Sequence, residues 1–195
     1  GKLDSSPQAL RLLFVSHYNY YRNFETLFRA VALLSQKHGK DVKLFLTCRL
    51  RQDETPGSYQ VQRAAALIQE LGITESIVEL GQIPNELLHR VYGACQIYIT
   101  ASSAENFAHP LVEAMACGLP VVASDLPVHQ EIFRDAAVYF DRFSPHELAQ
   151  CILKISGRQE LLEEMAKTGK ARSHEFSWSR HVEELLKVMR SLAQK

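Results

Sequence analysis

Glu105-Asn-Phe-Ala-His-Pro-Leu-Val-Glu113-Ala-Met-Ala-Cys-Gly-Leu-Pro-Val-Val-Ala-Ser124 carries four structural signals in a row: a polar loop, a Pro-started helix, a Gly stop and a buried strand. Pro110 suits the first helical position, where a missing N–H costs nothing, and Gly118 suits the place just past the end. Glu113 is therefore expected in the first helical turn. Glu105 is expected on the loop that leaves the apolar run Ile97-Tyr-Ile-Thr100. In a parallel α/β sheet such a loop lies at the carboxyl edge of the strands, where ligands bind. Free N–H groups at the helix start favour an anion, and two carboxylates accept hydrogen bonds from hydroxyls. A ligand with both phosphates and hydroxyls, such as a nucleotide sugar, satisfies both.

The pattern around this segment is strand, loop, helix, repeated. Leu12 to Val15 leads to a helix at Asn23 to Gln36, with Asn23 as N-cap, Phe24, Leu27, Phe28, Val31 and Leu34 at helical spacing, and Gly39 beyond the end. Val42 to Thr47 leads through a charged, Gly-containing loop at Arg49 to Ser58, expected to be mobile, to a helix at Tyr59 to Leu71. Strands at Ile77 to Leu80, Ile97 to Thr100, Val121 to Ala123 and Ala137 to Phe140 follow, with helices at Asn85 to Tyr92 and after Pro110 and a helical turn at Val128 to Phe133. This alternation predicts a Rossmann-like, doubly wound parallel sheet of the α/β class. Three helices finish the chain. Ser144-Pro-His-Glu147 predicts a capping box for the first of them. The last carries Val182, Leu185, Leu186 and Met189 on one face.

With 195 residues, 46% apolar and 23% charged, the chain suits one α/β domain. We read residues 1–10 as a linker or appended remnant and 11–195 as the domain. A formal charge of zero gives no general affinity for nucleic acid. Cys48, Cys95, Cys117 and Cys151 lie far apart and are expected as buried thiols of a reducing compartment. No apolar run has membrane-spanning length and no secretory pattern opens the chain, so the expectation is cytoplasmic. There is no Gly-x-Gly-x-x-Gly and no Walker Gly-x-x-x-x-Gly-Lys, which argues against dinucleotide oxidoreductases and P-loop NTPases.

Glu105, seven residues, Glu113 and the following Ala-Met-Ala-Cys-Gly-Leu-Pro-Val-Val-Ala-Ser closely resemble the donor-binding domain of the retaining GT-B glycosyltransferases, the "glycosyl transferases group 1". Leu80-Gly-Gln-Ile-Pro-Asn-Glu-Leu-Leu88, Tyr92-Gly-Ala-Cys-Gln-Ile-Tyr-Ile99 and Phe176-Ser-Trp178 are similar to the family in order and spacing. The likeness runs from about Leu12 to the C-terminus and covers half of a usual enzyme, without the acceptor-binding N-terminal domain.

The resemblance implies that Glu113 holds ribose hydroxyls and Glu105 the hydroxyls of the transferred sugar. The backbone amides near Phe107 and Ala108 would approach the sugar, and the Gly81 to Pro84 loop with Ile83 would face the base. It further implies retention of anomeric configuration, a hexosyltransferase-like activity without metal or cofactor, an unknown saccharide, lipid or small-molecule acceptor, and a last helix that reaches back to the other domain. The family places Gly, Arg and, five residues on, Lys after the first strand; here stand Ser16, His17 and Arg22. Arg for Lys adds a fork of donors, whereas His for Arg leaves a charge that depends on pH. Ala108 and His109 also stand where many relatives have Gly and a small or apolar residue. These departures favour, as an alternative, a non-catalytic nucleotide-sugar-binding or regulatory module; a GT-B epimerase or phosphorylase-like enzyme is a further one.

Plainer placements exist for each residue. Glu113 can simply complement the helix dipole, worth about 0.3–1 kcal/mol. Arg22 and His17 can be solvated loop residues. Tyr18, Asn19, Tyr20 and Tyr21 have three open placements: against a missing domain, on the base, or on the surface. His129, His174 and His181 lack metal-site spacing, so surface or helix-packing positions are expected.

Overall fold

The computed structural model describes residues 8–51, 61–107 and 109–193. Six strands, β1 (Leu10–Phe14), β2 (Val42–Leu46), β3 (Ile77–Glu79), β4 (Ile97–Thr100), β5 (Val121–Ser124) and β6 (Ala137–Phe140), form one parallel sheet in the order β3-β2-β1-β4-β5-β6. Among the described residues eight α-helices accompany them: α1 (Phe24–Ala32), α2 (Val61–Glu70), α3 (Asn85–Gly93), α4 (His109–Ala116), α5 (Pro127–Phe133), α6 (Pro145–Ser156), α7 (Gln159–Ser173) and α8 (Trp178–Ala193). The boundary expected after residue 10 falls inside the fold, because Ala9 is buried and β1 opens at Leu10, bonded from its N–H to Asp41 O. The charged loop after β2 lies mostly outside the described residues.

Strand side chains alternate between two cores, as the pleat requires. Leu12, Phe14, Leu44, Leu46, Ile97, Ile99 and Val122 face α1, α2, α6 and α7. Leu13, Phe45, Tyr98, Val121 and Ala123 face α3, α4 and α5. The central strands are apolar on both faces, as expected for a sheet covered twice, and each fully buried Leu contributes roughly 1.5–3 kcal/mol.

The chain winds outward from β1 to β2 and β3, then crosses back to β4 on the other side of β1. That reversal opens a crevice at the carboxyl ends of β1 and β4. The loops leaving those two strands carry Arg22 and Glu105.

Several details differ from the sequence reading. Cys48 and Cys95 are buried, but Cys117 is exposed and Cys151 half-buried. Met165 is buried whereas Met189 is exposed. Ser144 caps α6 through its Oγ, which accepts from Glu147 N at 3.1 Å, but Glu147 returns its carboxylate to Asp141 N at 2.9 Å rather than to Ser144. The reciprocal half of the box is diverted because the Ser144 N–H already bonds Asp141 O.

Candidate functional site

After β1 the chain runs to a 3-10 turn at Tyr20–Arg22 and reverses at Asn23, which adopts the left-handed conformation at φ 56°. Asn tolerates this region because its short side chain bonds locally. Asn23 Oδ1 accepts from Thr26 N at 3.4 Å, capping α1, and its Nδ2 donates to Arg142 O at 2.6 Å. The turn so fixed aims Arg22 back across the crevice. Arg22 forms an ion pair through Nη1 with Glu105 and donates from the same nitrogen to Ser102 Oγ at 3.3 Å. Its guanidinium also lies 5.2 Å from the centre of the Tyr21 ring. The β1 and β4 loops are tied by a second link, in which the backbone N–H and Oγ of Ser103 both donate to Tyr21 O.

The Glu105 side chain is 9% exposed and that of Arg22 21%. Such a pair sits between surface and interior, where losing one partner costs more than the pair contributes. The second Glu105 oxygen accepts from Asn106 N at 3.1 Å.

Glu113 stands elsewhere than expected. Helix α4 opens at His109, one residue before Pro110, so Glu113 is past the first turn and does not complement the dipole there. Its carboxylate instead accepts from the Tyr92 hydroxyl of α3 at 2.9 Å. Burial, together with neighbouring Tyr98 and the Glu113 carboxylate, raises the Tyr92 pKa and keeps the phenol a donor. Sequence reasoning missed Tyr92 as a partner because the contact joins two helices across a strand.

The remaining candidates are dispersed. Ser16 Oγ donates to the His17 carbonyl at 2.7 Å, and the Ser16 N–H donates to Thr47 Oγ1 at 3.1 Å, which anchors the loop to the end of β2. His17 is exposed, and its side chain makes no hydrogen bond or ion pair among the described residues. Ile83 is half-buried and packs against the core under α3. Gly81 beside it has φ 78°, a left-handed conformation that favours glycine, and Arg49 Nε of the loop after β2 lies 3.0 Å from where a Cβ would stand. Ala108 lies outside the described residues. Of the aromatic loop, Tyr18 is buried against Phe24 at 5.0 Å between ring centres, a core placement that none of the three alternatives foresaw. Tyr20 is exposed and Tyr21 lies under Arg22.

Phe107 and His109 open α4 into an aromatic chain. Phe107 lies 5.7 Å from His109 and 5.9 Å from Phe176, and His109 lies 6.0 Å from Trp178. They line a cleft of about 390 Å³ with Val112 and His181. That cleft contains neither Arg22, Glu105 nor Glu113, and the site is defined by the charged groups at the sheet edge rather than by this hollow. Among the described residues no group of three or more His, Cys, Asp or Glu could hold a metal ion, and no helix is long and apolar enough to cross a membrane.

A doubly wound parallel domain with Arg22 paired to Glu105 at its switch point is of the α/β class whose ligands bind in that crevice. Within that class the chain belongs to the glycosyl transferases group 1, whose family model matches residues 2–172. It is 29% identical over 182 residues to D-inositol 3-phosphate glycosyltransferase of Corynebacterium jeikeium, covering 92% of this chain and 43% of that protein. It is 32% identical over 99 residues to O-antigen chain mannosyltransferase B of Escherichia coli, covering 51% of this chain and 26% of that protein. Sucrose-phosphate synthase of Thermosynechococcus elongatus superposes with a TM-score of 0.82 at 25% identity, over 96% of this chain and 46% of that one. Anabaena HepE, solved with UDP and glucose, shares the fold with a TM-score of 0.80 at 20% identity, over 94% and 48%. The domain is thus one Rossmann-like half of a GT-B fold, and the chain spans less than half the length of the curated relatives it matches.

Proposed function

We propose that this domain binds a nucleotide-diphosphate sugar as the donor half of a retaining, hexosyltransferase-like GT-B glycosyltransferase of the cytoplasm. Arg22 and Glu105, drawn from the loops after β1 and β4 to one point of the crevice, carry this reading. Arg22 takes the diphosphate, with His17 and Ser16 on the same loop. Glu105 takes hydroxyls of the sugar, with the backbone near Phe107, Ala108 and His109 beside it. Glu113 takes the ribose and Ile83 faces the base. Departure of the nucleotide diphosphate builds negative charge, which a fixed guanidinium and oriented amides stabilise without reorganising. That scheme asks for no metal or cofactor.

An acceptor site and the closed cleft belong to a second, N-terminal GT-B domain in this reading. The names of the relatives and the UDP bound to HepE support a sugar-nucleotide donor. A non-catalytic binding module is the second reading, favoured by a His17 side chain without a hydrogen-bond or ion-pair partner among the described residues and by an Arg22 already engaged with Glu105.

Calorimetric titration with UDP-, GDP-, ADP- and TDP-sugars, repeated on Glu113→Ala and Arg22→Ala, tests the donor site. Selective binding lost in both variants supports it; no binding of any donor by the unaltered chain refutes it. Product analysis with donor alone separates transfer from epimerisation.

A further inference from the structure

His129, the third residue of α5, is fully buried, which is the helix-packing rather than the surface placement of the two expected. Its Nδ1 lies 3.0 Å from Ser124 Oγ and 3.0 Å from the Ser124 carbonyl oxygen. A carbonyl only accepts. The Ser124 hydroxyl has one proton, and that proton goes to the Ser102 carbonyl at 2.7 Å, so toward the imidazole Oγ also presents lone pairs. Both neighbours therefore require a donor, and Nδ1 carries the ring proton. In the neutral ring Nε2 is then a bare acceptor, buried and without a hydrogen-bond partner among the described residues. Burial lowers the His129 pKa; the Ser124 bond and Glu105 raise it, while Arg22 and Arg142 lower it further.

An orphaned Nε2 is a cost that an aliphatic side chain packed on Phe133 would avoid. The compensation lies on the Nδ1 side. Ser102 is fully buried; its carbonyl receives Ser124 Oγ and its own Oγ receives Arg22 Nη1. Hydrogen bonds thus meet at Ser102 from two sides, from His129 through Ser124 onto its carbonyl and from Arg22 onto its Oγ, so that the Ser102 residue links α5 to the guanidinium that meets Glu105.

We propose that His129 is a positioning residue of the donor site, which through Ser124 and Ser102 fixes the orientation in which Arg22 meets Glu105 and the diphosphate. The proposal rests on the donor-site reading of Arg22. It assigns His129 no contact with the ligand, and it explains why a polar ring occupies a position that packing alone would fill with leucine.

The test compares His129→Asn, whose amide nitrogen takes the place of Nδ1, with His129→Leu, which keeps bulk without a donor, and with Ser124→Ala, which removes the hydroxyl between His129 and Ser102. Each is titrated with UDP-glucose, GDP-mannose, ADP-glucose and TDP-glucose, and the Arg22 side-chain N–H signals are followed by ¹⁵N NMR; circular dichroism confirms folding. Expected are an affinity about tenfold weaker and displaced Arg22 signals in His129→Leu and Ser124→Ala, with His129→Asn close to the unaltered chain. Should His129→Leu fail to fold, Ser124→Ala, with its small change in volume, carries the comparison. Full affinity and undisplaced Arg22 signals in a folded Ser124→Ala overturn this inference and leave the donor reading intact. Failure of the unaltered chain to bind any of the four donors overturns both.

Discussion

Arg22 and Glu105 come from loops eighty-three positions apart and pair across the crevice where the sheet reverses its winding. Each is thereby held near the ligand edge, and each is also occupied by the other. A diphosphate reaching Arg22 must share the guanidinium with Glu105, whereas a sugar hydroxyl reaching Glu105 shares the carboxylate with Arg22. Glu105→Gln separates these effects. It frees Arg22 from a charged partner, so a free nucleotide diphosphate should bind about two- to fivefold more tightly, while the matching nucleotide sugar should bind about tenfold more weakly. Paired calorimetric titrations read the ratio. A parallel loss for both ligands would assign Glu105 to holding Arg22 alone.

Tyr92 and Glu113 allow a similar separation. The Tyr92 ring is buried and its hydroxyl donates to the Glu113 carboxylate, with the Pro110 carbonyl as a longer second acceptor at 3.3 Å. Hydrogen bonds to charged groups are worth about 1.5–3 kcal/mol, but Glu113 is only half-buried and water can replace part of the interaction. Tyr92→Phe should therefore destabilise by about 1–1.5 kcal/mol, measured as a lower urea midpoint at unchanged m. Donor affinity should fall only a few-fold, since Glu113 stays on α4; an affinity loss as large as that of Glu113→Ala would make Tyr92 itself the ribose ligand.

The strands and their order of appearance were legible as short apolar runs between more polar stretches: β4 and β6 have the expected limits, and β5 gains one residue. Asn23 as N-cap and Ser144-Pro145 as a helix start also followed from local chemistry. Long-range pairing was not legible. Tyr92 to Glu113 and Arg22 to Ser102 depend on which loops the sheet order brings together, and no local period encodes that. Tyr18 read as a loop residue because its neighbours are polar, yet Phe24 supplies an aromatic partner one helix start away. His129 read as ordinary because its only visible signal is a polar residue among apolar positions of a short helix.

His129 also gives the fold a pH dependence with a defined sign. Its pKa is lowered in the folded protein, chiefly by burial, so the unfolded chain binds the proton more readily. The stabilising contribution of the neutral ring is full above about pH 6.5, the ordinary histidine value, and declines as pH falls from there toward the lowered folded value. Within that window the slope from one such group is about 1.4 kcal/mol per pH unit. Urea unfolding between pH 7.5 and 5.5 should show stability falling with acid, and His129→Asn should flatten the fall. An equal slope in His129→Asn would place the titration on other groups.

Helix α8 should contribute little to the stability of the domain despite its pattern. Its apolar stripe of Val182, Leu185, Leu186, Met189 and Leu192 is exposed, between 42% and 65%, and none of its residues is buried. Its first turns meet the rest of the fold through Trp178 against His109 and through the cleft shared with Phe107 and Val112. A hydrophobic stripe left about half exposed gains little on folding, so polar replacements there should shift stability by no more than about 0.5 kcal/mol. Leu185→Glu combined with Met189→Lys should accordingly leave the thermal midpoint within about 2 °C of the unaltered chain. Trp178→Ala, which removes the contact with His109, should cost measurably more. If the double replacement lowered the midpoint by several degrees instead, the stripe would be packing against this domain in solution, and α8 would have to fold back onto the sheet.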